Sequence, residues 1–237
     1  MANFKTHITT AAIGSGLLST LCLGAGMIQA EQLILFSVLG TLGGILPDID
    51  LDHAAPTKLL FTALGLLTAF FMLNKQAPFY SIIELWVLAG FSYALVRYTA
   101  WQWFNDLTQH RGIFHSLASA LFFWFLTTAL SHHVFNLGAL AAWLAGAFVA
   151  YGFLIHLILD EIYSVDFINK RLKRSFGTAL KPIDFKNLRT SAVMLICVVI
   201  AFVVTPSPRE FGRMLFNPKT YYNVSTHFFP SGTWFNF

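Results

Sequence analysis

His156 and Asp160 stand four residues apart within an apolar stretch. On a helix that spacing stacks them on one face, about 6 Å apart along the axis. An imidazole and a carboxylate so placed can bind one divalent ion or two neighbouring ones. The plainer reading is a His–Asp hydrogen bond at a helix end, but ionisable groups at membrane depth are usually functional. His110-Arg111-Gly112-Ile113-Phe114-His115-Ser116 is a second constellation. Its two histidines do not share a helical face, so His110 is expected in the turn before a helix, where Gly112 lets the backbone bend. The imidazoles of His110 and His115 could then approach an ion from adjacent directions. The planar fork of Arg111 suits phosphate or carboxylate. A third group, Leu46-Pro47-Asp48-Ile49-Asp50-Leu51-Asp52-His53, follows Gly43 and Gly44. Clustered acids repel unless a cation or an arginine compensates them, which itself argues for a bound metal. Asp52 and His53 read as a solvated loop. His7, alone near the start, gains meaning only from company.

These groups need elements to position them. Of the 237 residues, 56% are hydrophobic and 11% charged. Soluble domains carry about 25% charged residues, so the chain lacks polar material for a water-facing surface. Apolar stretches at 8–30, 32–46, 59–73, 82–104, 112–130, 137–159 and 190–205 predict an all-α integral membrane bundle of about seven spans. The second and third are short, which local thinning of the bilayer accommodates. The first is expected to be a retained span, since its run is long and Ile28-Gln29-Ala30 is a poor cleavage site. Residues 1–205 form the membrane domain, including a basic amphipathic loop at 161–189. The aromatic-rich tail, 206–237, is expected to rest against the outer interface.

Lys and Arg in the loops set orientation. Lys5, Lys58, Arg97, Arg111, Lys170, Arg171, Lys173, Arg174, Lys181, Lys186 and Arg189 fall on one side; Lys75, Arg209, Arg213 and Lys219 fall on the other. The first side is therefore expected to be cytoplasmic, with the amino terminus. Helix alternation brings His7, Asp48, His110, His115, His156 and Asp160 to that same face. His132, His133 and His227 fall opposite, as interfacial residues. Within 167–176, Ile168, Leu172 and Phe176 align at four-residue steps among basic residues, predicting a helix in the headgroup layer that attracts anionic lipid. The net charge of +4 is mostly gathered beside one face, so no nucleic-acid partner is expected. Cys22 and Cys197 lie in apolar runs and read as packing residues. Gly90-Phe91-Ser92-Tyr93-Ala94 resembles a nucleophile elbow but falls in a helical span, which excludes that role. The chain has no phosphate loop, dinucleotide fingerprint or zincin helix.

The order Thr6-His7, Leu46-Pro47-Asp48-Ile49-Asp50, His110-Arg111-Gly112 with His115-Ser116, then His156-x-x-x-Asp160 resembles the YdjM-type inner-membrane, metal-dependent hydrolases. Through them it is distantly similar to the zinc phospholipase C and single-strand nuclease superfamily. The resemblance implies an all-helical core like the zinc phospholipase C fold and a phosphoester hydrolase. Its metal ligands would be His7, Asp48, His110, His115, His156 and Asp160, with Asp50 a second choice. The chain lacks the amino-terminal Trp ligand and second His-x-x-x-Asp/Glu pair of the soluble relatives, so one or two ions are expected. Mixed nitrogen and oxygen donors favour zinc. Asp50 or Asp48 would orient or deprotonate water, and Arg111 would stabilise oxyanion charge. A phospholipid or another phosphoester at the cytoplasmic face is the expected substrate. The rival expectations are a metal-binding transporter, disfavoured by the absence of repeats, and a non-enzymatic membrane scaffold.

Overall fold

The computed structural model describes residues 3–50, 55–100, 102, 113–166, 171–172 and 180–229. These fall into two compact units, Met1–Ile45 with His115–Phe237, and Leu46–Phe114.

In the first unit, α1 (Phe4–Gly24) starts at an Asn3 cap, whose carboxamide oxygen accepts the Thr6 N–H at 2.8 Å and the Thr6 hydroxyl at 2.9 Å. The clasp brings His7 into the first turn of the helix. The face α1 turns inward is small or polar, with His7, Ala11, Ser15, Ser19 and Cys22 buried, while Ile13, Leu17 and Leu21 are exposed. That is membrane logic, because lipid solvates large apolar side chains and small inward residues let backbones approach. A 3-10 turn (Ala30–Gln32) leads into α2 (Leu33–Gly43). After α5 (Leu117–His133), α6 (Ala139–Ile162) takes the central place, packed by α1, α2 and α5. α7 (Leu188–Val204) lies against α5, and α8 (Arg209–Leu215) turns away from α7 by 94°. α9 (Pro218–His227) follows. Trp143 of α6, Phe125 of α5, Phe202 of α7 and Phe211 of α8 share one aromatic cluster.

α2 and α6 meet backbone to backbone. A Cβ on Gly152 would overlap the Gly40 carbonyl, and one on Gly43 would overlap the Val149 carbonyl. Only glycine permits that approach, which follows the small-xxx-small pattern of Gly40 and Gly44.

The second unit contains α3 (Ala55–Gln76) and α4 (Ile82–Ala94), the latter continuing as a π-helical turn, Leu95–Ala100. Ser81 and Glu84 form a capping box, and the Arg97 Nε–H donates to the Thr62 hydroxyl at 2.9 Å. The Ser92 hydroxyl donates to the Leu88 carbonyl at 2.7 Å inside α4, as a helical serine does and a nucleophile elbow does not.

Helices occupy the described parts of all seven stretches expected to cross the bilayer, and the count of seven spans is not confirmed. Among the described residues, Phe4–Gly24, Ala30–Asp48, Ile82–Ala100 and Ala139–Ile162 are long and apolar enough to cross by themselves. The pair α7 and α8 passes the same test only when taken together, and is bent by 94° at the break. α5 and α7 have 17 residues each, about 25 Å of rise against a core of about 30 Å. The expected amphipathic helix over 167–176 is also corrected. β2 (Arg171–Leu172) is extended and pairs antiparallel with β1 (Val165–Asp166), in the register Val165 to Leu172 and Asp166 to Arg171. There the backbone takes its partners from a neighbouring strand, not from the preceding helical turn; the rest of 167–176 lies outside the described residues.

Candidate metal centre

Three helices deliver four ionisable side chains to one end of the first unit. His7 comes from the first turn of α1, and His156 and Asp160 from the last turns of α6. His115 stands just before α5, whose cap, Ser116, accepts the Ser119 N–H at 3.3 Å. The next N–H groups of α5, Leu117 and Ala118, donate to the carbonyls of Lys181 and Pro182, each at 3.0 Å. Helix-end donors normally lacking a partner are thereby satisfied, and the segment carrying His115 is fixed on both sides. The Asp184 carboxylate holds the Lys181 ammonium at 3.1 Å, and its carbonyl accepts the Ser191 hydroxyl at 2.8 Å. Ser116→Ala should cost about 1 kcal/mol of stability through the lost cap, measurable as a lowered unfolding temperature in detergent.

All three imidazoles aim Nε2 at the Asp160 carboxylate. His7 Nε2 lies 3.2 Å from Oδ1, with His156 Nε2 and His115 Nε2 at 3.7 and 3.9 Å from Oδ2. Exposure is 2% at His7, 4% at His115, 0% at His156 and 3% at Asp160, so water does not solvate the group. The rings of His7 and His156 stack at 3.6 Å, 11° from parallel, while that of His115 meets His156 edge-on at 5.7 Å.

The donor set fits a divalent ion on two counts. Two atoms bound tetrahedrally to one zinc at about 2.1 Å stand roughly 3.4 Å apart, which the three nitrogen–oxygen separations bracket. His156 Nδ1 lies 2.8 Å from the Gly44 carbonyl. A carbonyl only accepts, so Nδ1 carries a hydrogen and a neutral ring presents the Nε2 lone pair to a carboxylate oxygen. A cation between two acceptors so opposed would satisfy both. A proton would make an ion pair, but 3.7 Å is long for a charged hydrogen bond, typically about 2.7–2.9 Å. The buried His/Asp group can hold a metal ion, and the Gly44 carbonyl supplies the orienting contact that ligating histidines usually have.

The structure therefore brings together His7, His115, His156 and Asp160. Asp48 and Asp50 lie on the 3-10 turn Leu46–Asp50, which opens the second unit. His110 and Arg111 lie outside the described residues. His132 and His133 close α5, at the end remote from His115, and donate to the Leu137 and Val204 carbonyls at 2.8 and 2.7 Å. Sequence reasoning missed Gly44, Asp184 and the caps from Lys181 and Pro182. Gly40-x-x-x-Gly44 signals a close helix contact; a backbone carbonyl as partner to an imidazole has no signature in residue type.

The family model for YdjM inner membrane protein matches residues 1–212, so the chain belongs to that family and is a membrane protein. No curated protein and no solved structure matches it.

Proposed function

We propose that this member of the YdjM inner membrane protein family is a metal-dependent hydrolase of phosphoesters, working at the cytoplasmic headgroup level with zinc. The observation that carries the reading is the convergence of three imidazole nitrogens on one buried carboxylate at 3.2, 3.7 and 3.9 Å. Burying a carboxylate costs several kcal/mol unless its charge is compensated, and a bound divalent ion compensates it. A zinc ion in such a set supplies Lewis acidity and lowers the pKa of a water it binds towards about 7. His7, His156 and Asp160 would hold it, with His115 facing the same carboxylate at 3.9 Å. The Gly44 carbonyl fixes the tautomer and plane of His156, so its Nε2 is presented without rotation. On sequence grounds Asp48 is a further ligand, Asp50 the proton acceptor and Arg111 the group that binds the phosphoester's negative charge.

Elemental analysis of the detergent-purified protein should find about one zinc or more per chain, and His156→Ala should lose it. Hydrolysis of a phosphatidic acid or nitrophenyl phosphate ester should fall with the metal. Full turnover by stripped protein would end the proposal. Metal flux through proteoliposomes without ester turnover would move the same residues to a transporter.

A further inference from the structure

Residues 205–229 are not used by the metal centre, and their placement points to a second task. Along α6, Trp143 and Asp160 are separated by roughly 25 Å, and along α1 His7 and Ala25 by roughly 27 Å. Both distances approach the thickness of a hydrocarbon core, about 30 Å. Trp143 and Ala25 therefore mark the membrane boundary opposite the cluster. The segment after α7 is tied to both marks. The Trp143 indole N–H donates to the Pro206 carbonyl at 3.0 Å, and the Asn223 carboxamide donates to the Ala25 carbonyl at 3.4 Å. Between these ties the chain bends 94° out of α7, so α8 runs across the spans and not along them. A helix perpendicular to a span, at the depth where the span ends, lies in the plane of the bilayer surface.

The side chains fit that plane. Phe211 and Thr220 are buried on the bundle, whereas Phe216 is 85% exposed and Tyr221, Tyr222, Phe228 and Phe229 are exposed with it. Arg209, Arg213 and Lys219 are exposed beside a single acid, Glu210. Aromatic rings at headgroup depth with cations facing phosphate are the composition of an interfacial helix; in water the same rings would be an unfavourable patch.

We propose that residues 205–229 form a membrane-interface anchor: α8 and α9 lie in the headgroup layer opposite the cluster, with aromatic side chains in lipid and basic ones at phosphate. The proposal does not depend on any hydrolytic activity. Its test is spin-label depth measurement on the full chain in vesicles of three parts phosphatidylethanolamine to one part phosphatidylglycerol. Cys22→Ser and Cys197→Ser supply the background for single Phe216→Cys, Tyr222→Cys and Lys219→Cys variants. Labels at 216 and 222 should collide with dissolved oxygen in preference to a water-soluble nickel chelate, the chelate reaching them several-fold less than 219. Equal chelate access at all three positions would overturn the anchor in favour of a solvated cap. Protection from both reagents would overturn it in favour of contact with a second chain. Should the cysteine-free background misfold, Phe216→Trp in the native chain must add emission that brominated lipid quenches; no added quenching also overturns the anchor.

Discussion

Asp160→Asn is expected to cost the protein its metal while sparing its fold. The carboxylate is the one group that all three imidazoles face, and asparagine keeps its volume while removing its charge. Its NH2 can donate to one imidazole nitrogen, so the buried site stays partnered and the helices stay packed. A neutral oxygen is a far poorer ligand. We expect metal affinity to fall by on the order of 10³-fold or more, about 4 kcal/mol, with phosphoesterase activity falling in parallel. Competition with a chromophoric chelator measures the first, and circular dichroism checks that helicity is unchanged. A bound ion also stabilises the folded state by mass action. Chelator should therefore lower the unfolding temperature of the wild type and leave that of Asp160→Asn where it is. Equal sensitivity of the two proteins would show that Asp160 is not a ligand.

The second large effect is expected far from any ionisable group, at Gly152. A single methyl there would overlap the Gly40 carbonyl and come within 2.8 Å of the Gly44 nitrogen. Both contacts are backbone, so no side chain can rotate away, and α2 must be displaced from α6. Forcing extra atoms into a packed interior costs about 1–3 kcal/mol, occasionally more. The displaced segment carries the Gly44 carbonyl, so His156 loses its orienting bond. Loss of such a bond typically lowers metal affinity about 10–100-fold. Gly152→Ala should thus combine a lowered unfolding temperature with weaker metal binding. Gly16→Ala is the control, because a Cβ there meets nothing within 4 Å. If the two variants bind metal alike, the α2–α6 contact does not position the centre.

What was legible in the sequence depended on how local its signal was. His156 and Asp160 read as one face because helical period fixes that at four residues. His7 and His115 needed the fold, since in the sequence only helix parity relates them to His156 and Asp160. The Gly44 carbonyl was invisible, being a feature every residue possesses. Leu172 misled for the opposite reason. Its four-residue spacing from Ile168 and Phe176 suits a helix, whereas it is matched with Val165 in a strand pair. His110 and Arg111 rest on the sequence motif alone.

The ends of α1, α5 and α6 that hold the four side chains also fix how a lipid reactant would arrive. Such a molecule reaches the centre by sliding sideways within its leaflet, and the quantity governing encounter is its mole fraction in that sheet. Diluting it with an inert lipid at constant total amount should slow turnover in proportion, whereas diluting the whole suspension with buffer should leave turnover per protein unchanged. A product released into water would depart, and one that keeps its acyl chains would accumulate in the same sheet and compete.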